Sequence, residues 1–336
     1  MSAVVTGLAI TASPTSRLPH GRRIGADQID HLLRRTARLR CLDDHLGGAD
    51  TYRLYAAELA VTSALADDAS YTQETGRALL SVLAEQAQQA GWAAFDAGWH
   101  QEARRLFKQS LSAATDAGDT SLIANSLAYL AYQKVSSGHS GADEADAACR
   151  VATRRTPPAV RALLFERAAW AHALEGRSHE AEVTRALGKA AEALDSSSSL
   201  PSPEWAQWVD RTELQIMTGR CWSTLRRPLR AVPALEAALA QYDDTHARDK
   251  ALYLTWLAEA HLDAGEVEQA AAILGRSADL CADVASVRPH KRIKSVLQRL
   301  DAHGDEPCVS ELRQRLATLS FDVASPDTPP SPRRSL

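Results

Sequence analysis

The feature that most constrains this chain is a turn that recurs with small and bulky residues at fixed distances on either side. At Gly98, in FDAGWHQEARRLF, Gly91 lies seven residues before the turn, Ala103 five after it and Phe107 nine after it. The same offsets give Ala258, Ala270 and Leu274 around Gly265, and Gly219, Ala231 and Leu235 around Arg226, where the turn glycine is missing. Around Gly176 they give Ala169 and Ala181, whereas Gly138 keeps Ala131 but has Asp143 in place of alanine, a degenerate unit. Self-similarity at such a period is the sequence mark of a repeat architecture.

The pattern has a direct physical reading. A small residue seven before the turn sits on the first helix of a hairpin, and another five after it sits on the second. Their small size lets the two helix axes cross closely. The bulkier residue nine after the turn is expected to pack on the next unit. Glycine at the turn supplies the left-handed backbone that ends the first helix. The turns fall at 98, 138, 176, 226 and 265, so the units are longer than the about 34 residues of a tetratricopeptide hairpin.

Composition agrees with helices alone. Residues of the set AVILMFWYC make up 45% of the 336, yet aromatics only 5%, and alanine and leucine, strong helix formers, carry much of the apolar content. The β-branched and aromatic enrichment of strands is missing. The expected fold is all-α: a tetratricopeptide-like right-handed helical solenoid of about five helix pairs with flanking helices. Residues 1–24 read as a flexible leader, 25–320 as the repeat array and 321–336, with FDVASPDTPPSPRRSL spanning its end, as a disordered tail. The run DSSSSLPSP at 195–203 reads either as a hinge dividing the array or as a surface excursion. Ahead of the first turn, Ile29, Leu32, Leu33, Thr36 and Leu39 mark one helix face, which Gly47-Gly48 stops, and Leu54, Leu59, Val61 and Leu65 mark a second helix. Residues 287–301 and 307–319 read as a closing helix pair.

Several function classes lose support at this stage. The net charge of −4 lacks the basic excess expected of a phosphate-binding domain, so direct nucleic-acid binding is disfavoured. No phosphate-loop, dinucleotide, nucleophile-elbow or zinc-protease motif is present, and no catalytic residue, cofactor or metal is assigned. His172 and His179 are separated by the turn at Gly176, which argues against a shared metal, and Asp43, Asp44 and His45 read as polarity at a helix end. Five scattered cysteines without a CxxC pair read as buried free thiols. The apolar start MSAVVTGLAI precedes its arginines rather than following them, and no run reaches the about 18 apolar residues of a membrane helix, so a cytoplasmic location is expected. The basic runs Arg34, Arg35, Arg38, Arg40 and Arg288, Lys291, Arg292, Lys294, Arg299 read as solvated faces.

The candidate site is the concave face. In a solenoid of helix pairs the first helix of each unit lines it, at positions two, three, six, ten and thirteen before the turn. These positions hold Glu85, Gln88, Trp92, Phe95 and Asp96, then Asn125 and Tyr132, Glu166 and Trp170, Arg220, and Glu259. Aromatics exposed on such a face anchor extended peptides; equally, Trp92 and Trp170 would pack between neighbouring units. Homo-oligomerisation stays open.

The runs AGWAAFDAGWHQEARRLFKQSLSAATDAGD at 90–119, TGRCWSTLRRPLRAVPALEAALAQYDD at 218–244 and ALYLTWLAEAHLDAGEVEQAA at 251–271 resemble the tetratricopeptide domain of actinobacterial helix-turn-helix transcriptional regulators. In that family a DNA-reading domain of roughly sixty residues precedes the repeats; here about 24 residues precede the first repeat-like helix. The resemblance implies a regulatory module that binds a protein or peptide and has lost its DNA-binding half, or a regulator's partner; a single domain of a longer chain or a misplaced start would read the same way. A DNA-binding regulator using its basic helices, or a self-associating scaffold, are the rival expectations.

Overall fold

The computed structural model describes residues 23–42, 46–196, 200–242, 246–281 and 286–317. Residues 1–22 of the leader, the tail, Asp43, Asp44, His45 and positions 197–199 of the serine run lie outside them. The described chain is all-helical, with fourteen α-helices and a lone bridge between Arg23 and Ser70. Helices α1 (Ala26–Arg40) and α2 (Gly48–Asp68) precede five hairpins. These are α3 (Gln73–Asp96) with α4 (His100–Ala117), α5 (Thr120–Ser136) with α6 (Ala142–Val151), and α7 (Pro158–Leu174) with α8 (Glu180–Leu194). Then come α9 (Arg211–Thr224) with α10 (Pro228–Leu239), and α11 (Ala247–Asp263) with α12 (Val267–Leu280). Helices α13 (Val287–Leu300) and α14 (Pro307–Ala317) close the array. None of these helices is long and apolar enough to cross a membrane.

All five turns of the sequence pattern sit at hairpin bends with a left-handed backbone: Gly98, Gly138, Gly176 and Gly265, and also Arg226 at φ 53, the one positive-φ residue other than glycine among those described. Arg226 takes the shape because its turn closes with the same bond as its glycine counterparts. The Arg227 amide donates to the Trp222 carbonyl, as Trp99 does to Ala94 and Glu266 to His261. Arg177, from the preceding hairpin, holds the bend by donating to the carbonyls of Leu225 and Arg226 at 3.1 Å.

The first helices α3, α5, α7, α9, α11 and α13 pack each on the next, while the second helices fill the gaps outside them. This placement explains their composition. Helix α11 buries nearly every residue from Arg248 to Leu262, Arg248, Lys250 and His261 among them, whereas α8 buries a single stripe, Val183, Ala186, Leu187, Ala190 and Ala193. A continuous cluster of buried side chains runs from Tyr52 to Ala260, across the 195–203 connection. The described end of that connection turns inward: a short 3-10 turn at Glu204–Ala206 packs on α1 and α7, burying Trp205, Ala206 and Val209.

The small residues act as the pattern requires, with one change of partner. A Cβ on Gly91 would lie 2.6 Å from Cε1 of Phe107, and one on Gly219 2.4 Å from Cγ of Leu235. The bulky residue nine after the turn thus packs first on the glycine of its own hairpin; Phe107 then also stacks on Tyr129 of the next unit, centroids 4.8 Å apart. In the second and third hairpins the register is displaced by two residues. Helices α6 and α8 begin four residues past their turns instead of two, so Ala145 and Val183 are buried while Asp143 and Ala181 are exposed. The degenerate unit is a shifted one.

Other expectations are corrected near the ends. Gly47-Gly48 starts α2 rather than stopping α1, because a side chain at Gly48 would collide with the Ala93 carbonyl, 2.2 Å from its Cβ position. Leu33, Leu54 and Val61 are exposed; Ile29, Leu32, Thr36, Leu59 and Leu65 form the buried face. Only Cys221 and Cys281 are buried; Cys41 is exposed, and Cys149 and Cys308 lie between.

Candidate functional site

Positions six before each turn come together as one row along the inner face. Trp92 and Tyr132 rings lie 5.8 Å apart, and the Tyr132 hydroxyl accepts from Arg220 at 3.1 Å. Arg220 is 2% exposed, its guanidinium 4.5 Å above Trp170 and 4.1 Å from the Trp256 ring. Further guanidiniums continue the stack: Arg167 over Tyr132, Arg288 over Trp92, and Arg292 over Trp256. A guanidinium is weakly hydrated and planar, so a desolvated ring face suits it. The inner face is therefore an alternation of rings and cations, not a row of exposed anchors: Trp170 and Tyr132 are buried, and Trp92 is half-buried.

Beside the row lies a cavity of about 730 Å³. Of the residues assigned to the concave face, Glu85, Gln88, Trp92, Asn125, Tyr132 and Arg220 line it. Gln88 is fixed there by donating to the Leu122 carbonyl and accepting from Asn125 at 2.7 Å, and Glu85 is paired with Arg40. Phe95, Asp96, Glu166, Trp170 and Glu259 do not border the cavity. Phe95 packs under Trp92 and Tyr132; Glu259 pairs with Arg292 and Arg299 of α13 at 2.6 and 2.8 Å. Asp96, fully buried, accepts from the Gly48 amide, the Ser286 hydroxyl and Arg288.

The charges here are strongly perturbed. Burial would raise the Tyr132 phenol, but Arg220, Arg288 and Arg167 outweigh it and bring it down to about 8. Burial likewise would raise Asp96, yet Arg288, Arg248 and the Gly48 amide hold it below the usual carboxylate range. Glu213 goes the other way. Burial pushes it up to about 7 against the pull of Arg167 and Arg220. Burial, then the neighbouring Glu213, keeps Glu166 well above the ordinary range, and neither Glu166 carboxylate oxygen has a hydrogen-bond donor. Burial also pushes the Cys221 thiol up to about 12, leaving it protonated and unreactive.

Sequence reasoning missed seven contributors. Glu213 sits thirteen before its turn, the same offset that gave Glu85 and Asn125, and was legible there. Arg167 follows Glu166 and has no positional mark. Arg288, Arg292 and Arg299 belong to the basic run read as a solvated face. Instead they turn inward to Asp96, Glu259 and Asp263, because the carboxylates of α3 and α11 face them. Trp205 and Trp208 line the cavity from the connection after α8, where no helical period could place them. The turn at Gly176 also does not part the histidines: His172 and His179 stack with centroids 5.9 Å apart, and His172 bonds Asp146. Among the described residues no group of three or more His, Cys, Asp or Glu is arranged to hold a metal ion.

Fold and site together define an all-helical array of hairpins whose inner face encloses a charged, aromatic-lined cavity. Neither protein-family models nor curated proteins give a match to this chain.

Proposed function

We propose that the chain is a tetratricopeptide-like right-handed solenoid serving as a cytoplasmic regulatory binding module, linked to transcriptional control, that takes a short peptide or a protein's chain end on its inner face. The observation that carries this is the cavity of about 730 Å³ among Trp92, Tyr132, Trp205 and Arg220. Its size falls within the range of pockets that hold ligands, and its walls combine ring faces with fixed polar groups. A folded partner does not fit such a space; an extended segment does. DNA binding through α13 finds less support, because three of its arginines are committed to internal carboxylates.

The test is equilibrium retention of a pool of short synthetic peptides by the intact chain, with Trp92→Ala beside it. Trp92 borders the cavity and is only half-buried, so its loss enlarges the site without removing a buried support. Peptides retained by the wild type and released by the folded variant support the reading. Retention of none, with duplex DNA shifted in a gel at low salt, would replace it with the DNA-binding one.

A further inference from the structure

One end of the cavity differs from the rest. Glu213, Tyr242 and Tyr253 wall it, with Asp210 and Asp249 alongside. The two tyrosine rings meet edge to face, centroids 5.7 Å apart at 84°, forming a corner. Glu213 stands at that corner and accepts only a long bond, 3.4 Å, from the Tyr253 hydroxyl. Beneath it Glu166, wholly buried, has both carboxylate oxygens without a donor, and Glu213 is the charged group that bears on it most.

Arg167 and Arg220 pull on these two acids electrostatically, but among the described residues neither donates a hydrogen bond to them. Arg220 is occupied by Tyr132, Met217 and two tryptophan rings, and reaches the corner only at the Tyr253 ring, 6.0 Å from its centroid. Arg167 lies over Tyr132, Arg248 is bound to Asp249, and the Lys250 ammonium donates to the Tyr242 carbonyl. Asp210 is spent capping α9, accepting from the Glu213 amide. Elsewhere on the inner face Tyr132, Trp92, Trp170 and Trp256 each carry a guanidinium; among the described residues Tyr242 carries none. Buried carboxylates left without a donor are strongly unfavourable unless something supplies one. An acid beside two ring faces is the surrounding that a desolvated organic cation selects.

We propose that the corner formed by Glu213, Tyr242 and Tyr253 is a recognition subsite for an organic cation, an alkylammonium or guanidinium group carried by the ligand. The inference rests on the reading that the cavity is a ligand site. The group donates to Glu213 and lies against the Tyr242 ring. A peptide offers this chemistry through its N-terminal amine or through a lysine or arginine side chain.

The probes are n-butylammonium and ethylguanidinium chloride, titrated into the full chain by NMR at fixed ionic strength, with n-butanol as the neutral counterpart. Both cations are expected to bind about tenfold or more tighter than n-butanol, with the preference lost in Glu213→Gln. Intermolecular NOEs from the probe methylenes to the Tyr242 and Tyr253 ring protons are expected in the wild type, which decides the matter even if the variant does not fold. Equal binding of cation and alcohol, a preference surviving in folded Glu213→Gln, or NOEs to other rings only would overturn the subsite. Peptides with an acetylated N-terminus, or with lysine replaced by norleucine, then separate the two sources of charge. Cation binding without peptide retention overturns the peptide reading alone; peptide retention without cation preference overturns the subsite alone.

Discussion

Arg288 at the start of α13 donates to Asp96 at the end of α3, Nε to Oδ1 2.6 Å, across 192 residues of chain. The same carboxylate accepts from Ser286 and from the Gly48 amide, so three segments distant in sequence converge on one buried group. Asp96→Asn keeps the shape but leaves Arg288 with only the more distant Asp249 carboxylate, 3.9 Å away. Breaking such a buried pair costs about 3–5 kcal/mol, read as a lower denaturant midpoint, and Asp96→Asn with Arg288→Met together should recover part of it. An Asp96→Asn chain as stable as the wild type would show that the closure contributes nothing.

Among the described residues, the bend at Arg226 is the one turn that asks a non-glycine residue for a left-handed backbone. Its side chain is exposed, so Arg226→Gly removes strain without removing packing. The variant should gain up to about 1 kcal/mol, while Gly265→Ala at the matching bend should lose about that much or more. Thermal melts of both decide it, and a loss in Arg226→Gly would mean the side chain does something the bend does not explain.

Gly91 meets the Phe107 ring with no room for a methyl group. Gly91→Ala should therefore destabilise by about 1–3 kcal/mol through overpacking, and Phe107→Leu in the same chain should relieve it. The coupling between the two substitutions in a double-mutant cycle is the quantity to measure; simple additivity would refute the close approach.

Glu213 and Glu166 set a pH dependence with a definite sign. Folding raises Glu213 from the ordinary 4.5 to about 7 and raises Glu166 as well, so the folded chain holds protons that the unfolded chain releases. The Glu213 contribution is complete below about 4.5 and is lost as pH rises through about 7; the Glu166 contribution has the same sign. Asp96, Asp249 and Glu259 are held low and lose their contribution only in stronger acid. Thermal stability should thus be higher near pH 5 than near pH 8. Glu213→Gln should flatten that slope, and an unchanged slope in the variant would place the titration elsewhere.

Trp170 is expected to be structural. Its ring carries Arg220 and meets Trp256 edge to face at 5.6 Å. Trp170→Ala should cost about 3–5 kcal/mol of stability, whereas Trp92→Ala should cost less and act on ligand retention. Equal losses of stability would erase the distinction between a cavity wall and a buried support.

Much of this was readable from residue spacing. The five bends, the glycines at 91 and 219, and the row at Trp92, Tyr132, Trp170 and Arg220 follow from helical period and local backbone geometry, which depend on residues within a few turns of one another. Spacing could not show that α6 and α8 start two residues late, because the extra residues are spent in the path of the turn. Nor could it decide whether the concave residues face solvent. That depends on how far each hairpin rotates on the last, a sum of many packing contacts, and here the rotation buries Arg220 between two tryptophans and brings Arg288 to Asp96. The sequence determined the helices, their pairing and the small residues that let them cross. Only the tertiary structure decided that the three arginines of the basic run on α13 face inward while Lys291 and Lys294 stay exposed, that the connection after α8 walls the cavity, and that Glu166 and Glu213 lie close together in the interior. Those outcomes join residues far apart in the chain, and no local period carries information about them.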